Sequence, residues 1–143
     1  MTTVEILIKL VKEFEGCKLT SYKCPAGIWT IGYGQTKGIK EGMTWTQQQA
    51  EEDLLKTCIE TITEVINASP ILEFESINKQ AAIADFVYNL GITNYNKSKL
   101  KLRVNQKNWI SAITEIKKWN KSNGDILPGL VKRRQCEADL LIK

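Results

Sequence analysis

One short segment carries a set of side chains that could cleave a glycosidic bond. Glu15 stands before Gly16 at the end of an apolar stretch, Cys24 follows nine residues later, and Thr30 follows after six more. Four aromatic residues lie close to Glu15 in the sequence: Phe14, Tyr22, Trp29 and Tyr33. A carboxyl group in apolar surroundings keeps its proton to a higher pH, because desolvation disfavours the charged form. Such a carboxyl can act as a general acid, so the segment predicts a glycosidase active site.

Each of these three residues also has an ordinary structural explanation. A glutamate at the end of a helix is usually a solvated polar side chain. A lone cysteine usually behaves as a small buried apolar residue, and a threonine is common in strands. The chemistry therefore depends on whether the fold brings Glu15, Cys24 and Thr30 to one place.

The composition restricts the kinds of chemistry that remain. The chain has 143 residues and no histidine, which excludes Ser-His-Asp triads, Cys-His dyads and histidine-ligated zinc sites. Proton transfer must therefore fall to Glu, Asp, Lys, Tyr or Cys. The hydrophobic fraction of 43% and the charged fraction of 25% are typical of one globular domain. The net charge of +4 suits an anionic partner but does not select a nucleic acid, a membrane surface or a wall polymer.

The chain has four cysteines, Cys17, Cys24, Cys58 and Cys136. They could form two disulfides, but scattered reduced thiols are the favoured interpretation. No two of them form a Cys-x-x-Cys pair, so the zinc-ribbon and thioredoxin patterns are absent, and we expect no metal and no cofactor. The first residues hold charges among the apolar positions and do not form a secretory signal. No run approaches the roughly 18 apolar residues of a membrane span. Export is therefore expected to use a route that this sequence does not encode.

The elements predicted around the segment place it between two lobes. A first helix, with an apolar stripe from Val4 to Phe14, should end near Glu15 and Gly16. A glycine-rich segment over about 17–45 predicts a small antiparallel sheet of two or three strands. A capping box at Thr46 predicts a long connecting helix to about residue 66. A cleft between a small β lobe and a helical lobe is the natural place for a ligand.

The remainder, about 70–143, is predicted to form a helical lobe on which the first helix packs. A strongly apolar helix from Ile77 to Leu90, capped by Gly91, should lie at its centre. Other helices are expected from Ser98 through Val104, from Trp109 to Trp119 and from Leu130 to Leu141, with a turn at Asn123–Gly124. The prediction is a single α+β domain over residues 1–143 that is mostly helical.

Several motifs, in a consistent order, cover nearly the whole chain. They are Phe14-Glu15-Gly16, Tyr22-Lys23-Cys24, Trp29-Thr30-Ile31-Gly32-Tyr33-Gly34, the helix start from Thr46 to Leu54, the helix from Gln80 to Gly91, and Gly129 to Arg134 followed by Glu137. On these motifs the chain resembles the phage-type lysozymes, the endolysins of glycoside hydrolase family 24, which include the T-even phage lysozyme. The family spacing of Glu, eight residues, Asp or Cys, five residues and Thr is met by Glu15, Cys24 and Thr30. The cysteine resembles the lambdoid Glu/Cys/Thr subgroup.

The resemblance implies a lysozyme-like fold and hydrolysis of the β-1,4 bond between N-acetylmuramic acid and N-acetylglucosamine, with inversion. It implies that Glu15 is the general acid, and that Cys24 and Thr30 hold the water or stabilise positive charge on the opposite side of the sugar. Whether Cys24 acts as a water acceptor, as a thiolate or by its size stays open. Tyr88, Asn89 and Ser98 are implied to bind substrate, and Arg133 or Arg134 to lie against Glu15. Many relatives have a histidine where this chain has Gln35, so the His–Asp ion pair of some relatives cannot form.

The resemblance also implies a binding partner and a cellular location. The expected partner is a peptidoglycan glycan strand, with no nucleic acid and no stable membrane insertion. A monomer of phage or prophage origin would be made in the host bacterial cytoplasm and would pass through a holin-type pore. It would then act on the wall in the periplasm as a bacteriolytic, antimicrobial enzyme of host cell lysis.

Three other functions stay open at this point. A lytic transglycosylase would act on the same substrate but leave a 1,6-anhydro product. A non-catalytic wall-binding module on the same fold would be marked by loss of the acid, which is present as Glu15. A basic nucleic-acid-binding domain would be retained on DNA in a salt-dependent manner.

Overall fold

The computed structural model describes residues 1–143 as seven α-helices, one 3-10 helix and two small antiparallel sheets. In chain order the elements are α1 (Thr3–Glu15), β1 (Lys18–Lys23), β2 (Trp29–Gly32), α2 (Gln47–Ala68), the 3-10 helix (Pro70–Phe74), α3 (Ile77–Leu90), α4 (Ile92–Asn96), α5 (Lys99–Asn105), α6 (Trp109–Lys117), β3 (Lys121–Ser122), β4 (Asp125–Ile126) and α7 (Pro128–Leu141). The predicted α+β class, mostly helical, is confirmed. None of the helices has both the length and the apolar composition needed to span a membrane.

Helix α1 carries the candidate acid at its last position. Thr2 caps the start of the helix, because its side chain accepts a hydrogen bond from the Glu5 backbone N–H. One face is buried on the core, through Leu7, Leu10 and Val11. Gly16 has a φ of 67°, which glycine adopts without steric cost, and it turns the chain out of the helix directly after Glu15.

The small lobe is built on the hairpin of β1 and β2. The strands pair antiparallel from Lys23 opposite Trp29 to Lys18 opposite Gly32, with one irregularity in the register. A single bridge from β1 to Thr44 adds a partial third edge. The sheet therefore has two full strands, and it lies within the glycine-rich segment predicted for it.

Helix α2 begins at the predicted capping box. The Thr46 side chain accepts a hydrogen bond from the Gln49 backbone N–H, and the Gln49 side chain accepts one from the Thr46 N–H. Both N–H groups would otherwise lack a partner in the first turn. The helix has 22 residues, which corresponds to about 33 Å. One face is buried along its length, through Ala50, Leu54, Cys58, Thr61 and Val65.

Helix α3 is the centre of the helical lobe and has the predicted bounds. Its residues from Ala81 to Val87 are all buried, because it packs against α1, α2 and α7. Gly91 ends the helix, and its N–H donates to the Val87 carbonyl. Asp85 is the one charged side chain in the buried stretch, and it needs compensating partners because an unpaired buried charge is costly.

The helical lobe contains elements beyond the predicted ones. The 3-10 helix and α4 connect α3 to its neighbours in sequence, and β3 and β4 form a second hairpin around the expected turn at Asn123–Gly124. Helix α7 begins at Pro128 instead of Leu130, since proline suits the first turn of a helix, where its missing N–H is not needed. Helix α6 ends at Lys117, before the expected end at Trp119.

Candidate active site

The carboxyl group of Glu15 points toward the segment that follows β2. A Cβ atom at Gly34 would lie 3.5 Å from Glu15 Oε1, and Gly34 has a φ of 88°. Glycine therefore both leaves room for the carboxyl group and adopts the required backbone conformation. The Glu15 side chain is 21% exposed. It is largely withdrawn from water but still reachable by a substrate, as a general acid must be.

Arg133 of α7 lies beside the carboxyl group of Glu15. Its Nη1 is 3.4 Å from Glu15 Oε1, and the Arg133 side chain is only 4% exposed. The guanidinium also lies over the Phe14 ring, with Cζ 5.4 Å from the ring centre. Of the two arginines considered from the sequence, Arg133 is the one that contacts Glu15.

A buried network holds Arg133 from the side opposite Glu15. Arg133 Nε and Nη2 donate to Asp85 Oδ2 and Oδ1 at 2.9 and 2.8 Å. Asp85 also shares a hydrogen bond with Glu137. Glu137 in turn lies 2.7 Å from Arg134 Nε and accepts a hydrogen bond of 2.9 Å from Arg134 Nη2. Asp85 and Glu137 are both fully buried, so four ionisable side chains form one enclosed network.

The two buried carboxyl groups differ in protonation. Burial alone would raise the pKa of Asp85, but hydrogen bonds from Glu137 and Arg133 hold it below its ordinary value. Burial raises the pKa of Glu137 well above its ordinary value, and the hydrogen bond with Asp85 acts in the same direction. Of these two carboxyl groups, Glu137 is therefore the one that is more readily protonated. Glu15 meets this network through Arg133.

A cavity of about 460 Å³ opens in front of Glu15 and Arg133. Its other lining residues come from the ends of α1 and α3 and from the start of α7: Phe14, Asn89, Leu127, Pro128, Gly129 and Leu130. A larger cavity of about 570 Å³ lies along α7 from Ile126 to Cys136, but no carboxyl group lines it. The smaller cavity is therefore the better candidate for acid chemistry.

Cys24 and Thr30 lie at the end of the β1–β2 hairpin. The Cys24 N–H donates to the Ile28 carbonyl at 3.0 Å, and the Gly27 N–H donates to the Cys24 carbonyl at 2.8 Å, which closes the turn. Thr30 Oγ1 donates to the Ile28 carbonyl at 2.9 Å. A hydrogen bond from the Ile28 backbone lowers the pKa of Cys24; burial opposes this, while bonds from the Ala26 backbone and from Thr30 add to it. The Cys24 thiol is therefore more readily ionised than an ordinary thiol.

Tyr22 connects the two groups of candidate residues. Burial raises the pKa of Tyr22, and the negative charges of Glu15 and of the Cys24 thiolate raise it further. Both groups are thus within electrostatic reach of one hydroxyl. Neither Cys24 nor Thr30 is among the residues that line the cavity of Glu15.

Comparison with known proteins identifies the family. The profile described as phage lysozyme matches residues 12–137. The chain belongs to the phage lysozyme family. It is 38% identical over 135 residues to the endolysin of Acyrthosiphon pisum secondary endosymbiont phage 1, and the match covers 92% of this chain and 91% of that protein. The chain spans about half the length of two endolysins of Bacillus phages, 52% in each case. The resemblance to phage-type lysozymes is thereby confirmed.

Solved structures of similar proteins have the same fold. The endolysin from Escherichia coli O157:H7 phage FAHEc1 has a TM-score of 0.83 at 31% identity, covering 100% of this chain and 94% of that one. The muramidase domain of SpmX from Asticaccaulis excentricus has a TM-score of 0.83 at 28% identity, covering 96% of this chain and 95% of that one. This member of the phage lysozyme family is accordingly a glycoside hydrolase of the lysozyme class.

Of the predicted substrate-binding residues, Asn89 lies at the cavity of this phage lysozyme family member. It lines the cavity together with Glu15, and its Oδ1 accepts a hydrogen bond of 2.9 Å from Arg134 Nη2. This bond orients the Asn89 amide and leaves its N–H groups for another partner. Arg134 therefore supports the cavity through Asn89 rather than through Glu15.

Tyr88 and Ser98 have structural roles in the fold. The Tyr88 hydroxyl donates to the Tyr33 carbonyl at 2.5 Å and accepts a bond of 3.0 Å from Gln35 Nε2. Ser98 caps α5, because its Oγ accepts from the Lys101 N–H at 3.1 Å. The Tyr88 hydroxyl is thus engaged within the protein, and Ser98 is not among the residues that line the cavity of Glu15.

Gln35, which replaces the histidine of many phage lysozyme relatives, joins the lobes through a neutral bond to Tyr88. Gln35 lines a separate cavity of about 440 Å³, together with Asp53 and Thr57. All four cysteines are free thiols, and no group of three His, Cys, Asp or Glu side chains is arranged to hold a metal ion.

Asp85 and Glu137 belong to the site, although neither is predicted from the sequence as a site residue. Asp85 is the only acidic residue between Ser76 and Thr114, and it stands in the middle of an apolar helix. A carboxyl group in that position must find a buried cation. That signal was available in the sequence, but it does not reveal that the cation is Arg133, which lies on α7.

Proposed function

We propose that this chain is an endolysin that hydrolyses the β-1,4 bond between N-acetylmuramic acid and N-acetylglucosamine in bacterial peptidoglycan. The observation that carries the proposal is Glu15. Its carboxyl group is largely withdrawn from water and opens on a cavity of about 460 Å³, and Glu15 and Cys24 both lie close enough to Tyr22 to raise its pKa. The family match and the similar muramidase domain support the same substrate.

In the proposed mechanism Glu15 gives its proton to the glycosidic oxygen as the bond to the anomeric carbon breaks. The leaving sugar departs as an alcohol, and positive charge develops on the remaining ring. Arg133, 3.4 Å from Glu15 Oε1, stabilises the carboxylate that remains. Because that stabilisation grows as the proton leaves, it favours the transition state over the ground state.

Water attacks the anomeric carbon from the opposite face in the same proposal. Cys24 and Thr30 orient the water, and the Cys24 thiolate accepts its proton as the new C–O bond forms. The lowered pKa of Cys24, caused chiefly by the Ile28 backbone hydrogen bond, supports a thiolate in this role. A single displacement of this kind inverts the configuration of the sugar. Asn89 is proposed to contact the substrate through its free N–H groups.

Product analysis tests the reaction. Purified peptidoglycan is digested in water enriched in heavy oxygen, and the muropeptides are measured by mass spectrometry. Hydrolysis predicts a reducing muramic acid that carries one heavy oxygen atom, and proton NMR immediately after cleavage should show the α anomer. A 1,6-anhydro product without heavy oxygen would establish a lytic transglycosylase instead, and no release of muropeptides would favour a wall-binding module.

We also propose a route to the substrate. The enzyme is made in the host bacterial cytoplasm, acts as a monomer, and reaches the periplasmic wall through a holin-type pore. Expression with and without a co-expressed holin tests this route. Lysis should begin only when the holin or chloroform opens the inner membrane, and lysis without either would contradict the proposal.

A further inference from the structure

Asp85 controls the orientation of the arginine that faces the proposed acid. It is fully buried in α3 and accepts hydrogen bonds from Arg133 Nε and Nη2 at 2.9 and 2.8 Å. A guanidinium has three nitrogens, so this bidentate contact leaves only Nη1, which is the atom 3.4 Å from Glu15 Oε1. Asp85 therefore determines which edge of Arg133 is presented to Glu15.

Asp85 also shares the positive charge that Glu15 meets. Arg133 lies between two carboxyl groups, one on α3 and one at the end of α1. A cation beside a carboxyl group favours its ionised form, whereas a general acid must be protonated when the substrate binds. Without the negative charge of Asp85, the whole charge of Arg133 would act to ionise Glu15.

The other ionisable groups near Asp85 do not replace it. Burial raises the pKa of Glu137 well above its ordinary value, which favours its neutral form over a second anion. Burial raises the pKa of Cys58 to about 12, and burial also raises the pKa of Cys136, so both thiols are neutral near pH 7. The remaining neighbour is Arg134, which donates hydrogen bonds to Glu137 and to the Asn89 side chain instead of to Asp85.

The groups that face Glu15 are Arg133 from α7, Tyr22 from β1 and Tyr88 from α3. Burial raises the pKa of both tyrosines, so their hydroxyls stay neutral through the working range. Arg133 is therefore the cation within ion-pair distance of Glu15, and Asp85 is the anion that holds it.

We propose that Asp85 is a positioning residue that keeps Nη1 of Arg133 directed at Glu15 and shares the charge of Arg133, so that Glu15 holds its proton until the glycosidic oxygen takes it. The inference rests on the proposed function of Glu15 as the general acid. Asp85 acts through Arg133 and does not touch the substrate.

The test is the pH–rate profile of two charge-removing variants on soluble glycan fragments. Asp85→Asn keeps the shape but removes the anion, so Arg133 should ionise Glu15 at a lower pH. The alkaline limb of the plot of kcat against pH should therefore shift to a pH about one unit lower. Arg133→Gln removes the cation, so the same limb should move up. The double variant removes both charges and should return the limb close to the wild-type position.

Controls separate this role from a structural one. Asp139→Asn changes an exposed carboxyl group on α7 that accepts a hydrogen bond from Gln135, and it should leave the profile unchanged. Circular dichroism establishes that each variant is folded, and either single variant suffices if the other does not fold. A loss of kcat by one factor at every pH, with the limb unmoved in both variants, would overturn the positioning role. If Glu15→Gln retained activity, the proposed function itself would fail, whether or not the alkaline limb shifts in the Asp85 and Arg133 variants.

Discussion

The acid side and the water side of the proposed site are constructed in different ways. The carboxyl group of Glu15 is held by Arg133, which is fixed in turn by a buried carboxylate, Asp85, from another helix. Cys24 and Thr30 lie on a partly exposed hairpin, and their positions depend on hydrogen bonds to the backbone of their own turn. The first arrangement joins three helices, whereas the second is local to one hairpin.

This difference predicts how the two sides respond to change. The ionic network lies inside the helical lobe, so a change there alters the free energy of unfolding as well as the chemistry. Cys24 is only partly buried and lies outside the hydrophobic core cluster, so a change there should alter the rate and leave the fold intact. A water side built in this way can accept either cysteine or aspartate, which agrees with the Asp-or-Cys pattern of the family.

The largest expected effect is on the acid itself. Glu15→Gln preserves shape but cannot donate a proton, so the hydrolysis rate should fall by about 10²–10⁴-fold. Stability should be kept or slightly increased, because an active-site carboxyl group held away from water usually costs stability. The measurements are release of reducing ends from peptidoglycan and thermal unfolding.

Glu13→Gln is the matched control for that experiment. Glu13 lies on the same helix but lines a different cavity, with Leu10 and Cys136. Its replacement should leave both rate and stability nearly unchanged. Wild-type lysis by Glu15→Gln, or loss of lysis by Glu13→Gln alone, would show that the acid has been assigned to the wrong residue.

The next effect is on the buried network. Arg134→Met removes the partner of Glu137 and leaves the Asn89 oxygen without its donor. A buried polar group left without its hydrogen-bond partner typically costs about 1–3 kcal/mol, and two such groups lose their donor here, so chemical denaturation should show a loss of that order. Lys132→Met changes an exposed residue on the same helix and should stay within about 0.5 kcal/mol. Equal losses of unfolding free energy in the two variants would mean that the buried network does not stabilise the helical lobe.

A smaller effect is expected at Cys24, and it should be confined to the rate. Cys24→Ala removes the proposed proton acceptor and should lower hydrolysis by about 10²-fold with the unfolding midpoint unchanged. Cys24→Asp should keep most of the activity, because a carboxylate can take the same proton. Alkylation of the wild-type thiol should inactivate the enzyme at a pH below that needed for an ordinary thiol, since the Ile28 backbone hydrogen bond lowers its pKa. Full activity after stoichiometric alkylation of Cys24 would exclude its proposed role.

The smallest expected effect is on the pH dependence of stability, and it comes from Glu137 in the buried network. The raised pKa of Glu137, caused first by burial, means that its stabilising contribution is complete below its unfolded pKa and is lost as the pH rises through its folded pKa. Glu137→Gln resembles the protonated form, so its melting temperature should decline less than that of the wild type between about pH 5 and pH 9. Parallel declines in the two proteins would show that Glu137 is ionised throughout.

The sequence predicted those parts of the fold that depend on local patterns. The capping box at Thr46 and the apolar helix ended by Gly91 are confirmed in their predicted places. Both depend on contacts within a few residues, which a sequence displays directly. The predicted start of α7 at Leu130 is two residues too late. The helix begins at Pro128, because proline favours the first turn of a helix.

The site was predictable only in part, for a related reason. Glu15, Cys24 and Thr30 stand in one segment, so their spacing could be read from the chain. The contact between Asp85 and Arg133 joins residues 48 positions apart, and it exists only after α3 and α7 have packed. The same holds for the bond from Gln35 to Tyr88, which joins the two lobes across 53 positions.

The buried thiol of Cys58 can report how often the core of this enzyme opens. Its side chain is 0% exposed on the inner face of α2, and burial raises its pKa to about 12. An alkylating reagent can therefore reach it as a thiolate only when α2 separates from its neighbours. The rate of Cys58 modification, measured by mass spectrometry in a Cys24→Asp background, would count those openings in the native protein without denaturant.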